Sequence, residues 1–231
     1  MSNIIWKGIN SNTIPGLIIS KLPSISKPKL KTEIIDIDGV DGDIINELGY
    51  EAYDKEIEIG LSKDYQINDV IKYFTGEGEL VFSNEPDKYY KAKIIDKIDY
   101  QDLLRFKTST ISFHVQPFKY KVNEIELDVS IDSQNSIEIY NSGLEKSKPI
   151  IHLYGTGTVA LYLDNIQIFT YTFDDNGEVI IDSENQDAYF EGELKNRNMF
   201  GEFPILNVGK NLVTWTGNLE RIKVKPKSRW L

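Results

Sequence analysis

The sequence has no cysteine, only two histidines and no long hydrophobic run. The lack of cysteine excludes disulfides, thiolate metal sites and a cysteine nucleophile. His114 and His152 are far apart in the sequence, so a histidine-rich metal site or a histidine acid–base pair is not expected. No apolar stretch approaches the roughly 18 residues of a membrane helix, and the first residues do not have the pattern of a secretory signal. We therefore expect a protein without a membrane partner, made and folded in a cytoplasm.

What is present is typical of a folded, acidic protein. The 231 residues carry 26 Lys+Arg against 36 Asp+Glu, for a net charge of −10. At roughly 150 residues per domain, this length indicates one or two domains. Hydrophobic residues make up 40% and charged residues 27%, which is an ordinary globular composition. The acidic balance argues against a protein that coats nucleic acid.

Residues 1–121 are predicted to form an α+β domain. Strand-forming residues alternate with polar ones over most of this part. One short helix is expected between two strands, and at two to three turns it needs a sheet to pack on. The residues expected to define it are Asn68 as the cap, Val70, Ile71 and Phe74 on the buried face and Gly76 at the end.

Residues 122–231 are predicted to form an antiparallel β-sandwich, so the whole chain is expected to be mainly β. Short strands are expected on both sides of Gly-rich turns such as Gly155-Thr156-Gly157. Asn176-Gly177 lies between two apolar stretches, which predicts a hairpin. The polar segment 125–144 is expected to be rich in turns.

No catalytic constellation is found in the sequence. The acids and glycines of residues 36–43 fail the EF-hand spacing, because Val40 falls at the fifth ligand position, and a tight turn fits them at least as well. Asp174-Asp175 could be glycosidase carboxylates but are more typical of a turn. Trp215 and Trp230 could stack on a sugar, although a lone Trp on a strand more often packs in a core. We expect no enzyme activity, no cofactor and no metal.

Charge is distributed unevenly along the chain. Residues 36–58 contain nine acids and one base, residues 122–193 contain 15 acids and two bases, and residues 194–231 contain two acids and eight bases. Within the last eleven residues, bases occupy every second position, which on a strand gives one basic face. This face could offset the preceding acidic stretch or dock a partner. Its residues are Arg221, Lys223, Lys225, Lys227 and Arg229.

The chain resembles the distal tail protein (Dit) family of long-tailed bacteriophages that infect Gram-positive bacteria. The matching segments occur in order along the chain, and their order is more specific than any one of them. They are Trp6-Lys7-Gly8, Pro15-Gly16-Leu17-Ile18, the region of Pro23 and Pro28, Ile37-Asp38-Gly39-Val40-Asp41-Gly42, Tyr89-Tyr90-Lys91-Ala92, residues 111–118, Gly155-Thr156-Gly157, Ile180-Ile181-Asp182-Ser183, residues 199–206 and Gly209-Lys210-Asn211.

The resemblance implies an architecture and a role. It implies an N-terminal ring-forming domain over 1–121 and a C-terminal galectin-like β-sandwich over 122–231. It also implies a six-fold ring of this chain at the virion tail tip, which joins the tail tube protein to the baseplate or tail-fibre hub and lets DNA pass without binding it. Asp38 and Val40 stand where the family has a proline and an arginine, so no role of that arginine carries over.

A ring that passes DNA makes the acidic segment a candidate channel wall or subunit interface. A cationic wall would hold phosphates, whereas an anionic wall repels them. An outer surface that keeps the protein soluble explains the same charge run. The candidate residues are Asp36, Asp38, Gly39, Asp41, Gly42, Asp43, Glu56 and Glu58.

Two other functions compete with the structural role. A carbohydrate-binding module that recognises a bacterial cell-wall polymer is the main alternative, because a galectin-like sandwich with exposed aromatics could grip such a polymer. The segments around His152 and Trp215 do not supply the galectin sugar-binding run, however. A hydrolase comes last, because nothing in the sequence assembles a nucleophile, a base and an oxyanion site.

Overall fold

The computed structural model describes residues 2–39, 41–131, 135–175 and 177–231. The chain divides into two compact units, Met1–Val122 together with Leu231, and Asn123–Trp230. The boundary expected after Lys121 falls one residue before this division. Most of the chain is β-strand, which confirms the mainly-β fold class. None of the helices in the described ranges is long and apolar enough to cross a membrane.

In its described residues, the N-terminal unit combines nine strands with two short α-helices and a 3₁₀ turn at Ser11–Thr13. Its elements are β1 (Ile4–Trp6), β2 (Ile9–Asn10), β3 (Leu17–Lys21), β4 (Leu30–Asp36), β5 (Asp43–Tyr50), β6 (Tyr53–Leu61), α1 (Ile67–Tyr73), β7 (Glu77–Phe82), β8 (Lys88–Lys93), α2 (Tyr100–Phe106) and β9 (Thr108–Lys121).

Seven of these strands form one antiparallel sheet in the order β2-β1-β7-β8-β9-β6-β3, while β4 and β5 pair as a separate two-stranded sheet. The large sheet buries one core beneath both helices. Trp6 and Phe74 both pack against Phe113, with ring centroids 5.2 and 6.3 Å apart. This aromatic cluster holds the end of α1 against the sheet.

The predicted helix exists, but its ends differ from the prediction. Gln66, not Asn68, occupies the N-cap position, and Phe74, not Gly76, is the C-cap. Val70, Tyr73 and Phe74 are buried, whereas Ile71 is only partly buried. The buried face is therefore rotated toward Tyr73, because the helix is a single two-turn segment that follows the sheet beneath it.

The sequence analysis missed α2. Its N-cap is Asp99, whose side chain accepts hydrogen bonds from the backbone N–H groups of Gln101 and Asp102 at 3.0 and 3.2 Å. Leu103 is its only fully buried residue in the described ranges. A single buried position does not produce the 3.6-residue hydrophobic period that predicts a helix. The N-cap residue Asp99 was therefore the signal in the sequence that could have indicated α2.

Where the structure describes the C-terminal unit, its only helical element is a short 3₁₀ turn at Asn196–Asn198. Its strands are β10 (Leu127–Ser130), β11 (Ser136–Asn141), β12 (Ile150–Leu163), β13 (Ile166–Thr172), β14 (Glu178–Asp182), β15 (Asp187–Phe190), β16 (Glu193–Leu194), β17 (Met199–Gly201), β18 (Gly209–Lys225) and β19 (Arg229–Trp230). β10 and β11 lie in the segment that was expected to be turn-rich, so that expectation was wrong.

Two long strands, β12 and β18, organise this unit by bending. Their first and second halves pair with different neighbours, and the register shifts between Thr156 and Ala160. A Cβ on Gly155 would lie 2.4 Å from the Asn218 carbonyl oxygen, and one on Gly217 would lie 2.3 Å from the Thr158 carbonyl oxygen. Only glycine allows this approach. The segment read as a Gly-rich turn is thus the bend of one 14-residue strand.

The bend creates two groups of strands around one core. β10, β14, β15 and β16 extend from one half of the β12–β18 pair, and β11, β13 and β17 extend from the other. Buried side chains from both groups form a single cluster that includes Leu153, Leu161, Phe169 and Trp215. Buried Val159, Leu161 and Leu163 alternate with Ala160 and Tyr162, which are only partly buried, as in a strand with one side facing the core.

The predicted Asn-Gly hairpin is wrong. Asn176 itself lies outside the described residues, but β13 and β14 on either side of it do not pair with each other; both pair with β12. Gly177 donates a backbone hydrogen bond to Asp174 and accepts one from Gly155, at 3.0 and 2.9 Å. β13 and β14 both run antiparallel to β12, so the chain has the same direction in both strands, whereas the local pattern favoured a reversal.

Candidate assembly surfaces

The isolated sheet formed by β4 and β5 is the most exposed part of the N-terminal unit. We call residues 30–50 the arm. Its register pairs Ile34 with Ile45 and Ile35 with Ile44, and neighbouring positions point to opposite faces. Each face of the arm therefore carries an isoleucine pair. Ile34 and Ile45 are 62% and 58% exposed, which is unusual for such a pair.

The tip of the arm gathers acidic side chains. Asp36 and Asp43 lie directly opposite each other, and Asp38 and Asp41 occupy the turn between them. Like charges in facing positions destabilise a strand pair. The turn itself is fixed by Gly39 and Gly42, whose φ angles are +84° and +87°, while Val40 lies outside the described residues. The tip thus concentrates negative charge next to the exposed isoleucine pairs of the two strands.

The base of the arm is attached to the large sheet. The Tyr50 ring packs edge-on against Phe118 with centroids 5.8 Å apart, and Glu51 donates a backbone hydrogen bond to the Lys29 carbonyl at 2.8 Å. The Lys27 ammonium lies 5.6 Å from the Tyr50 ring centre. These contacts set the direction in which the arm leaves the unit.

A buried polar network lies behind the segment that leads into the arm. The Lys55 ammonium donates a hydrogen bond to the Ser24 carbonyl at 2.9 Å, and the Lys119 ammonium binds Glu85 Oε1 at 2.9 Å. Tyr90 is buried and donates to Glu85 Oε2 at 3.3 Å. Burial lowers the pKa of Lys55 and raises the pKa of the Tyr90 hydroxyl. The network ties residues 24–26 to the sheet and is structural in character.

The acidic face of β6 forms a second surface, separate from the arm. Glu56 and Glu58 are exposed, whereas Ile57 and Ile59 between them are fully buried. Glu58 pairs with Lys21 at 3.0 Å. The eight predicted channel or interface residues therefore fall into two groups, six on the arm and two on the large sheet, and the structure does not place them in one continuous strand pair.

The basic stripe is not a continuous strand face. β18 ends at Lys225, and Lys227 has a φ of +55°, so the alternation stops there. The Arg221 guanidinium binds both carboxylate oxygens of Asp128, at 2.7 and 2.6 Å, and this hydrogen bonding lowers the pKa of Asp128. Arg229 donates to the Lys146 carbonyl at 2.5 Å. Arg221 thus offsets one acid of the C-terminal unit, while docking of a partner by the remaining bases stays a prediction.

The other sequence candidates do not form a chemical site. Trp215 points into the core and is 4% exposed, so it cannot stack on a sugar. Asp174 pairs with Lys195, and this hydrogen bonding lowers its pKa, which is the reverse of what a general acid needs. Among the described residues, no group of three or more His, Cys, Asp or Glu side chains is arranged to hold a metal ion.

Known structures share this architecture. No protein-family profile and no curated protein sequence matches the chain. The crystal structure of the Dit protein of phage SPP1, described as a paradigm of the hub adsorption apparatus in phages that infect Gram-positive bacteria, covers all of both chains with a TM-score of 0.70 and 16% identity. The chain has the fold of SPP1 Dit.

This likeness confirms, at the level of fold, the family resemblance seen in the sequence. The phage p2 baseplate in its activated conformation is a weaker likeness, with a TM-score of 0.47, 10% identity and 97% of each chain covered. At these identities, side-chain roles do not transfer from either structure.

The residues that the sequence analysis missed are the isoleucines of the arm. In the sequence, the acids of this segment stand out more than the Ile34-Ile35 and Ile44-Ile45 doublets beside them. A doublet places one apolar side chain on each face of a strand, and this was the signal that could have found them.

Proposed function

We propose that the chain is a structural subunit of a phage tail tip, located in the virion after synthesis in the host bacterial cytoplasm. The observation that carries the proposal is the fold shared with SPP1 Dit over the entire length of both chains. In this role the chain forms a six-membered ring and joins the tail tube protein to the baseplate or tail-fibre hub. It performs no catalysis, and the N-terminal unit supplies the ring contacts while the C-terminal unit faces other tail components.

The arm supports self-association. A two-stranded ribbon without a core is at best marginally stable in water. Covering an isoleucine side chain fully contributes about 1.5–3 kcal/mol, and the five isoleucines of the arm are between 38% and 62% exposed. In this proposal the arm is received by a different patch of the neighbouring copy, and such head-to-tail contacts close into a ring when the rotation between neighbours closes.

The test of the ring is the double variant Ile34→Ser/Ile45→Ser. Wild-type protein at high concentration with its tail partners should form rings in negative-stain images and show a matching solution mass. The double variant should remain monomeric while its circular dichroism is unchanged, because these side chains are exposed in the single chain. Ile125→Ser in the C-terminal unit, where the side chain is 85% exposed, is the matched control.

A monomer at low concentration is compatible with this proposal. Failure of the wild-type chain to form rings at high concentration with tail partners present contradicts it. Rings that form equally well from the double variant would leave the tail-tip role standing but remove the arm from the interface.

We further propose that the acidic face of β6 lines the ring channel. Glu56 and Glu58 point away from the core, and repulsion of phosphates would let DNA pass without being held. Replacing both with lysine should slow DNA ejection from intact particles, most strongly at low salt, where screening is weak. Unchanged ejection kinetics, or a ring structure in which both side chains face outward, would contradict the channel assignment.

A further inference from the structure

One face of the C-terminal unit is almost free of charge. It is the outer face of the strands ordered β17-β13-β12-β18-β11, whose inward positions are occupied by core residues such as Phe169, Leu161 and Trp215. We call it the neutral face. Its outward residues are Phe200, Thr170, Ala160, Tyr162, Leu212, Thr214, Thr216, Ser136, Glu138, Tyr140 and Lys210.

The two charged residues among these positions neutralise each other, while two exposed acids lie at the border of the face: Glu202 donates a backbone hydrogen bond to the Ile168 carbonyl, and the Asp164 side chain accepts one from the Leu212 N–H. Glu138 and Lys210 form an ion pair at 2.5 Å near one end of β11. The rest of the face consists of hydroxyl, small and aromatic side chains. In a chain with 27% charged residues, a surface of this size with one internal ion pair is uncommon.

Register shows how the face is laid out. Phe200, Thr170, Ala160 and Thr216 form one row across four neighbouring strands. Tyr162, Thr214 and Ser136 form the next row in the same direction. Small and β-branched residues occupy the centre of both rows, so the middle of the face is low and flat.

Three aromatic side chains cross this platform on a diagonal. Phe200 and Tyr140 are 73% and 68% exposed at its two ends, and partly exposed Tyr162 lies between them. With strands spaced about 4.8 Å and residues about 3.3 Å apart, the register separates Phe200 from Tyr162 by about 12 Å and Tyr162 from Tyr140 by about 16 Å. The line of aromatics therefore extends across the whole sheet.

The opposite outer face of the same unit has a different character. There Arg221 binds Asp128, and His152 lies 3.3 Å from Glu178. Lack of charge is thus a property of one face and not of the unit. A chain with a net charge of −10 also repels anionic polymers, which leaves uncharged ligands as the best match for the neutral face.

The chemistry of the platform favours a carbohydrate over a protein. Protein interfaces have a central apolar cluster that excludes water. The centre of the neutral face instead carries the hydroxyl groups of Thr170, Thr214 and Thr216, which donate and accept hydrogen bonds as sugar hydroxyls do. The exposed aromatic rings match the apolar C–H faces of pyranose rings.

We propose that the neutral face binds an uncharged polysaccharide chain laid across Phe200, Tyr162 and Tyr140. This site goes beyond the structural role, and binding requires neither a ring nor a tail partner. A cell-surface glycan of this class would give a tail-tip protein a direct contact with its host.

Affinity electrophoresis of the full-length protein in gels that contain dextran, mannan, galactan or laminarin tests the proposal. A poly(glycerol phosphate) gel serves as the anionic comparison. We expect retardation by at least one neutral polymer and none by the anionic one. Phe200→Ala and Tyr140→Ala should each weaken this retardation roughly tenfold in dissociation constant, and Phe200→Trp should preserve it.

Leu194→Ala is the matched control, because Leu194 is 63% exposed on β16, at the far edge from the neutral face. Loss of binding in the two aromatic variants with full binding in the control supports the site. Absence of retardation in every neutral gel, stronger retardation by poly(glycerol phosphate), or equal binding by all variants overturns it. Since all these proteins are assayed as single chains, a failure here is distinguishable from a failure to form rings.

Discussion

The arm and strand β6 are built from the same residue types, but their isoleucines differ in burial. In β6, Glu56 and Glu58 alternate strictly with Ile57 and Ile59, so the isoleucines share one face and are fully buried. In the arm, isoleucines occur as adjacent doublets between acids, so each face receives one, and none of the four is buried.

The difference shows what a doublet means in an acidic strand. Strict alternation of apolar and acidic residues is typical of a strand with one buried and one solvated face. In β6 the buried face is covered by the rest of the same chain. Apolar residues on both faces are typical of a strand covered on both sides. The single chain provides no such cover for the arm in the described residues, so the pattern points to cover from other chains.

The largest expected effect is the loss of stability when a buried ion pair is broken, compared with an exposed ion pair of nearly equal length. Lys119–Glu85 spans 2.9 Å with side chains 5% and 12% exposed, while Lys21–Glu58 spans 3.0 Å with side chains 69% and 50% exposed. Lys119→Ala should lower the free energy of unfolding by about 3–5 kcal/mol, because it leaves the Glu85 carboxylate buried without its cation.

Lys21→Ala is the matched control for that variant, and it should cost only about 0–1 kcal/mol, since water solvates Glu58 in its place. Urea unfolding followed by circular dichroism measures both values. Equal losses of stability in the two variants would mean that the polar network around Glu85 is open to solvent. The Lys119–Glu85 pair would then not differ in burial from the Lys21–Glu58 pair.

Alternating patterns were the part of the fold that could be predicted. Strands such as β6 and the second half of β12 follow from period-two burial, and the mainly-β class follows from their number. The boundary between the units was marked by a change of composition near residue 121. These features are local, so the sequence displays them directly.

Features that depend on distant partners could not be predicted. The bend in β12 needs the carbonyl of Asn218 close to Gly155, some sixty residues away, and nothing near Gly155 distinguishes a bend from a turn. The sequence around Asn176 favours a hairpin, but pairing with β12 on both sides overrides it. The acids of the candidate site were found because charge is local, whereas their division between the arm and β6 depends on the tertiary fold.

The smallest expected effect comes from removing one methylene group from an isoleucine of β6 and, separately, from an isoleucine of the arm. Ile57→Val should destabilise the monomer by about 0.5–1.5 kcal/mol, because it leaves a small gap in a packed core. Ile45→Val should leave monomer stability unchanged, since that side chain is 58% exposed and has no core to lose. Urea unfolding at low concentration gives both values for the single chain.

In assembled rings the two variants should become similar, with Ile45→Val weakening assembly by a comparable amount per subunit, measured from the concentration at which rings dissociate. An Ile45→Val protein that assembles as tightly as wild type would show that the arm stays uncovered in the ring, and the isoleucine doublets would then need an explanation other than cover from a neighbouring copy.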